Sequence, residues 1–249
     1  MAKNNYLKEN ERIDSLQRNG YSIIQDSTRF CFGMDAVLLS EFVKLKKGDD
    51  VLDFCTGTGV IPILLSAKTE TGHFTALEIQ QEVADMAERS VLMNELSDKI
   101  SVICGDLKDS KEIFAGTKFD AVTVNPPYMA ASGALVNPDE SKAVARHEIK
   151  CTLDDVLTQS AYVLKPNGHF FMVHKPERLA EIIVKMKERK IEPKRLRIVY
   201  PRVLGEPNMI LIEGTKGGNP GMKVEKPLII YDENGKYMPE VSRIYENED

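Results

Sequence analysis

The tetrapeptide Asn125-Pro126-Pro127-Tyr128 is the most specific chemical feature of the chain. Two consecutive prolines remove backbone donors and stiffen the segment, so the Asn125 side-chain oxygen and the Pro126 carbonyl form a fixed pair of acceptors. Such a pair holds a planar NH2 group by both protons and leaves its lone pair to attack an activated methyl carbon. Tyr128 offers a flat face on which a base can stack, worth on the order of 1–3 kcal/mol. Asn125, Pro126 and Tyr128 are therefore the candidate catalytic residues, with Pro127 and Tyr128 against the substrate.

A second constellation is Asp53-Phe54-Cys55-Thr56-Gly57-Thr58-Gly59, where a strand meets a helix. That junction is where open parallel sheets bind ligands, and its glycines allow close backbone approach. A dinucleotide fingerprint needs a third glycine where Pro62 stands, so a nucleoside-like cofactor whose amino-acid end meets the loop is favoured over a dinucleotide. Glu78, about 20 residues on, is placed to accept hydrogen bonds from ribose hydroxyls, a geometry that serves NAD and S-adenosylmethionine alike. Asp106 is placed to accept from an adenine amino group.

The elements that must position these residues alternate in the way of a parallel sheet with helices on both faces. Strands are expected at Asp50–Cys55, His73–Glu78, Ile100–Cys104, Phe119–Val124, Gly168–Val173, Arg197–Tyr200 and Met209–Ile212, the last two as an antiparallel edge. Helical spacing marks 60–67, 80–94, a helix opened by Thr152 with Asp155 at capping-box spacing, and 179–190. The expected fold class is α/β, a Rossmann-like, mostly parallel seven-stranded sheet. Residues 1–48 are expected to form an N-terminal appendage with one helix at Ala36–Val43, 49–215 the main domain, and 216–249 a turn-rich tail with an extended segment at Leu228–Tyr231. No periodicity governs Met129–Lys150, a long loop of the kind that is usually functional or disordered.

Composition sets the outer bounds. The 249 residues carry 42% hydrophobic and 29% charged side chains with a net charge of -5, which excludes a disordered chain and a membrane-spanning one. The run Val60–Leu65 is far short of a bilayer span and no apolar signal core follows Met1, so a cytoplasmic protein is expected. Cys31, Cys55, Cys104 and Cys151 lack metal-site spacing and read as free thiols, Cys55 and Cys104 as buried small hydrophobes. No metal is expected.

Taken together, these residues resemble the class I S-adenosylmethionine-dependent methyltransferases that act on exocyclic amino or amide nitrogen. Within that class the chain is similar to the tRNA adenine-N6 methyltransferases of the tRNA1(Val) adenine-37 type, in the small-domain group. Glu11-Arg12-Ile13-Asp14, Arg29 to Leu39, Arg146-His147-Glu148 and Tyr200-Pro201-Arg202 extend the similarity over about residues 10–215. The resemblance implies that Asp53, Thr56, Gly57 and Gly59 line the methionine end of S-adenosylmethionine, that Glu78 meets its ribose and Asp106 its adenine, and that the segment from Phe30 to Asp35 closes over it, with Asn125 adjoining. It implies tRNA as the partner. The tetrapeptide itself also occurs in enzymes acting on DNA adenine or protein glutamine, with close variants in guanine-N2 enzymes, and a nucleotide-dependent oxidoreductase shares the turn and the acid.

Charge distribution agrees with an anionic partner. From Lys175 to Arg202 there are ten basic and four acidic residues, a local excess of +6 within an acidic chain. Such a surface attracts phosphate whatever the net charge. Arg146, Lys175, Arg178 and Arg202 are the candidate RNA contacts, the last three beside strand ends at the expected active-site edge; Arg146 could equally pair with Glu148.

Overall fold

In the computed structural model, which describes residues 3–29, 31–70, 72–127 and 151–245, β3 (Asp50–Phe54) lies at the centre of the sheet with Val51, Leu52 and Phe54 fully buried. β4 (His73–Glu78) and β5 (Ile100–Cys104) follow on one side of it, and β6 (Phe119–Val124) and β7 (Leu164–His174) on the other, all parallel. β9 (Met209–Lys216) runs antiparallel between β7 and β8 (Ile191–Tyr200). These are the seven expected strands. Two short ones, β10 (Lys223–Val224) and β11 (Leu228–Ile229), pair with β8 and bring the sheet to nine. An N-terminal hairpin of β1 (Glu11–Ser15) and β2 (Ser22–Asp26) stands apart from the sheet.

Successive residues of each strand bury on opposite faces, as the two-residue side-chain period requires. Val51, Ala121, Phe171, Val173 and Leu211 join a cluster with α1 (Met34–Phe42) and α2 (Val60–Ser66). Leu52, Val122, Phe170, Met172 and Ile212 join another with α5 (Leu153–Val163) and α6 (Leu179–Glu188). Leu16 and Ile23 of the N-terminal segment, and Leu228, Ile230, Val241 and Ile244 of the tail, belong to the first cluster, so both ends of the chain share the core of the main domain. α3 (Gln81–Met93) packs Val83, Met86 and Met93 against Ile24 of β2. A short α4 (Ser110–Ile113) precedes β6, and α7 (Pro239–Tyr245) closes the described tail.

The expected capping box is present: Thr152 Oγ1 accepts from Asp155 N–H at 3.1 Å and Asp155 Oδ2 accepts from Thr152 N–H at 2.9 Å. Leu164 caps this helix and opens β7. Pro166 disfavours the helical region for Lys165, so the helix stops at Val163.

The hairpin and α7 were not legible in the sequence. The Glu-Arg-Ile-Asp-Ser strand has no apolar alternation, and its anchor is polar: Arg89 of α3 donates to both oxygens of Glu11 at 2.7 Å and to Asp85 at 2.7 Å. With Arg89 and Glu11 side chains 14% and 7% exposed, removal of the guanidinium strands a largely desolvated carboxylate. Arg89→Ala is expected to lower stability by roughly 2 kcal/mol, read as a lower urea midpoint at unchanged slope.

Candidate active site

Sheet order reverses at β3, which neighbours β4 on one side and β6 on the other. The crevice beyond the carboxyl ends of these strands is a topological switch point, where ligands bind in open α/β sheets. Asp53 pairs in register with Thr123, and Phe54 with Val124. Asn125 therefore leaves β6 directly beside the start of the glycine-rich turn, which brings the two sequence constellations to one place.

The turn needs its glycines. Cys55 already takes a left-handed φ of 54°, followed by Gly57 at 58° and Gly59 at 88°. Gly59 is the N-cap of α2, and a Cβ there would sit 3.4 Å from that of Ala87 on α3. A Cβ on Gly57 would meet nothing within 4 Å, so this residue borders open space and is held in place by hydrogen bonding. Its N–H donates to Glu78 Oε2 at 3.0 Å, while Glu78 Oε1 accepts from Gln80 N–H at 3.0 Å. Glu78, 5% exposed, thus ties the turn to the start of α3. Oε1 also accepts from Gln80 Nε2–H at 3.4 Å; a carboxylate has about four lone-pair sites, so the remaining capacity for a hydroxyl donor is on Oε2.

Asp53 is 1% exposed. Its Oδ1 accepts from Thr123 Oγ1–H at 2.6 Å, but its Oδ2 is buried with no hydrogen-bond partner, as is Thr56 Oγ1. Burial pushes the Asp53 carboxyl up to about 7; the Thr123 and Thr56 hydroxyls oppose this and the Glu78 charge adds to it. A buried carboxylate oxygen without a hydrogen-bond partner is what an ammonium group that reached it would satisfy. Asp106 caps the short 3-10 turn Leu107–Asp109, accepting from Lys108 N–H at 2.9 Å and lying 3.4 Å from the Lys108 ammonium. Thr123 was missed in the sequence, although a polar residue within the apolar strand Ala-Val-Thr-Val was its signal.

Asp35, expected among the cofactor contacts, lies in the first turn of α1 and meets Asn125. Asn125 Nδ2–H donates to Asp35 Oδ2 at 3.0 Å, and Ala36 N–H donates to Asp35 Oδ1 at 2.9 Å. The bond orients the amide, with its NH2 toward Asp35 and its Oδ1 as the acceptor end. Tyr245 of α7 also reaches this corner: burial, then Tyr237, Tyr231 and the Asp35 charge, hold its phenol well above the ordinary value. Nothing in the sequence linked the tail to this corner. Pro126 and Pro127 follow β6 as expected. Phe30, Tyr128, Arg146 and His147 lie outside the described residues.

The basic segment reads differently in three dimensions. Lys185 and Arg189 pair with Asp154, Lys187 with Glu192, Arg178 with Glu181, Arg195 with Glu213 and Glu225, and Arg197 with Glu240. Glu181 and Glu192 belong to the segment's own four acids, and Asp154, Glu213, Glu225 and Glu240, from outside it, match most of the remaining +6. Arg202 lies exposed on the β8–β9 connection, and Lys175 follows the end of β7, its N–H donating to His174 Nδ1. Cys104 is exposed, contrary to the expectation of a buried hydrophobe, because β5 is the edge strand. The Cys151 thiol and burial hold the Cys55 thiol well above its ordinary value, which keeps it protonated. Among the described residues no three His, Cys, Asp or Glu side chains are grouped to hold a metal, and no helix is long and apolar enough to cross a membrane.

Known proteins show what the chain is similar to. A protein from Porphyromonas gingivalis named tRNA1(Val) (adenine(37)-N6)-methyltransferase is 26% identical over 234 residues, 91% of either chain. One of the same name from Bacteroides thetaiotaomicron is 30% identical over 154 residues, covering 61% of this chain and 63% of that one. Among solved structures, a predicted O-methyltransferase from Agrobacterium tumefaciens superposes with a TM-score of 0.69 at 21% identity, covering 85% of this chain and 95% of that one. The fold is thus the class I methyltransferase fold. The family model described as methyltransferase small domain matches residues 32–192, from the segment before α1 to the start of β8, and the chain belongs to that family.

Proposed function

We propose that this protein transfers the methyl group of S-adenosylmethionine to the exocyclic N6 amino group of an adenine in tRNA. The observation that carries the reading is the Asp35–Asn125 hydrogen bond at the switch point: it commits the Asn125 NH2 to Asp35, so the amide oxygen is the end that can accept from a substrate amino group. The names of the relatives direct the reading to adenine 37 of tRNA1(Val), a cytoplasmic substrate.

The chain's residues fit the cofactor. The orphaned Asp53 oxygen suits its ammonium group, the space bordered by Gly57 suits its methionine end, and Glu78 suits its ribose hydroxyls. Asp106 retains acceptor capacity for an adenine amino group alongside its capping bond. When bound, S-adenosylmethionine supplies a sulfonium-activated methyl group. Asn125 Oδ1 and the Pro126 carbonyl accept the two N6 protons, hold the nitrogen in line, and stabilise the positive charge that grows on it as it attacks. Tyr128 stacks on the base, which must leave its own stack first. Positioning supplies most of the acceleration, and the surplus proton leaves to solvent once the methylated amine has become acidic. A nucleotide-dependent oxidoreductase gives the oriented Asn125 no task; protein glutamine and guanine N2 present the same planar NH2 and are the alternative substrates.

Incubation of purified protein and S-adenosylmethionine with tRNA from cells lacking the gene tests this reading. N6-methyladenosine in the nucleoside digest supports it; methyl incorporation only into protein, or only as N2-methylguanosine, overturns it.

The Asp53 assignment makes a separate prediction. A carboxyl raised to about 7 is largely protonated at pH 6, and an ammonium partner lowers its pKa, so binding must expel the proton. Calorimetric titration with S-adenosylhomocysteine at pH 6 in buffers of different ionisation enthalpy is expected to show release of up to about one proton, fading above pH 8 and absent in Asp53→Asn. Binding without proton release would remove Asp53 as the ammonium partner.

A further inference from the structure

A groove of about 760 Å3 lies on the α1–α2 side of the sheet, where the C-terminal ends of both helices meet the N-terminal hairpin turn, β8 and α7. Six cations line it, Arg18, Lys44, Lys68, Arg195, Arg197 and Arg243, against three carboxylates, Glu41, Glu225 and Glu240. Each carboxylate is already paired: Glu41 with Lys68, Glu225 with Arg195 at 3.3 Å, and Glu240 with Arg197 at 2.6 Å. Arg18, Lys44 and Arg243 have no carboxylate within ion-pair distance among the described residues. Arg18 donates to the Ile244 carbonyl at 2.9 Å and Arg243 to the Pro239 carbonyl at 3.3 Å, contacts that leave their charge uncancelled.

The ends of α1 and α2 do not draw on this surplus; of the three cations only Arg18 serves a helix end, through the Ile244 carbonyl in the last turn of α7. The Phe42 carbonyl at the end of α1 accepts from Arg195 Nη2 at 2.6 Å, and the Ala67 carbonyl after α2 accepts from Asn19 Nδ2 at 3.5 Å. Three unmatched cations around one cavity in a chain of net charge -5 call for an anion, and their spread over three separate elements suits an extended polyanion better than a single small one.

Helix α1 connects the groove to the active site. Asp35, Leu38 and Phe42 fall at helical spacings of three and seven, on one face. Asp35 meets Asn125 at one end, whereas Leu38 and Phe42 line the groove at the other. Seven residues of helix span about 10 Å, which a polynucleotide leaving the target adenine covers within a few nucleotides.

We propose that this groove holds the sugar–phosphate backbone of the RNA substrate beyond the target nucleotide, with Arg18, Lys44 and Arg243 as its phosphate contacts. The inference rests on the RNA reading above and goes further, because it moves the main electrostatic contact from the 175–202 segment, where the charges are mostly paired, to the α1–α7 face.

Lys44 and Arg243 are both exposed, so Lys44→Gln/Arg243→Gln leaves the core intact, and thermal unfolding together with S-adenosylhomocysteine affinity checks that it does. Binding of tRNA by fluorescence anisotropy across a KCl series is the measurement, beside KM and kcat. Two lost phosphate contacts reduce the slope of log K against log salt by about 1.4–1.8; the KM for tRNA is expected to rise about tenfold at low salt, with the loss in KM rather than kcat. Lys99→Gln, an exposed lysine just before the far edge strand β5, is the control and leaves the slope unchanged. Wild-type protein that methylates tRNA while the double variant keeps slope and KM overturns the groove alone. Wild-type protein that neither binds nor methylates tRNA overturns the functional reading, and the groove with it.

Discussion

Asn125→Ala is expected to lower the rate constant for methylation of tRNA by about 10²–10³-fold, the scale set by removing one preorganised dipole aimed at developing charge. The amine of adenine is a poor nucleophile because its lone pair is shared with the ring. Attack requires that the nitrogen turn tetrahedral and become positive, and an amide oxygen fixed beside it stabilises both changes at no reorganisation cost. Alanine leaves only the Pro126 carbonyl. The effect belongs in kcat, because the acceptor interaction strengthens as charge appears, and single-turnover rates with saturating tRNA are the proper readout. On the proposed assignment S-adenosylhomocysteine is held mainly by Asp53, Glu78 and the glycine-rich turn, so its affinity is expected to change far less. A variant that methylates tRNA near the wild-type rate would falsify the mechanism, whatever its effect on cofactor binding.

How much of this site can be read in the sequence depends on the range of the contact. Asp53, Gly57, Gly59, Glu78 and Asn125 are legible because each sits at the carboxyl end of a strand whose pattern is plain, and a parallel sheet gathers such ends on one edge. The strands themselves are legible because both faces are covered, which gives near-continuous apolar runs such as Phe119–Val124. What is not legible is which residue each one touches. Asp35 lies 90 residues from the Asn125 with which it bonds, and the family resemblance implied cofactor contact for it. The cations of the 175–202 segment suggested an RNA surface, yet Asp154, Glu213, Glu225 and Glu240 come from other elements to meet them. Local sequence counts charges, whereas only the fold pairs them. The β1–β2 hairpin escaped for the same reason, since its anchor, Arg89, lies 78 residues from Glu11.

Asp35 gives the second large effect and decides between two roles. If its carboxylate serves the cofactor, substitution weakens S-adenosylhomocysteine binding and leaves the rate at saturation intact. If it acts through Asn125, substitution spares binding and slows the chemical step. The geometry favours the second: Oδ2 takes the Asn125 amide proton at 3.0 Å and Oδ1 takes the Ala36 N–H at 2.9 Å, so the carboxylate is held rigidly by its own helix while it holds the amide. Without that acceptor the amide can turn over and present NH2 to the incoming amino group, donor against donor. Asp35→Ala is therefore expected to cut kcat by about 10–100-fold, a misplacement effect rather than the loss of the acceptor itself. Asp35→Asn can keep an oxygen facing Asn125 Nδ2 only by turning its own NH2 toward the Ala36 N–H, so it should recover part of the rate, and its remaining deficit combines the lost charge with the lost bond to Ala36. A purely structural role in α1 would make both variants lose stability together, with kcat of the folded fraction unchanged. A rate loss in Asp35→Ala at unchanged cofactor affinity, partly restored in Asp35→Asn, is the pattern that only a positioning residue produces.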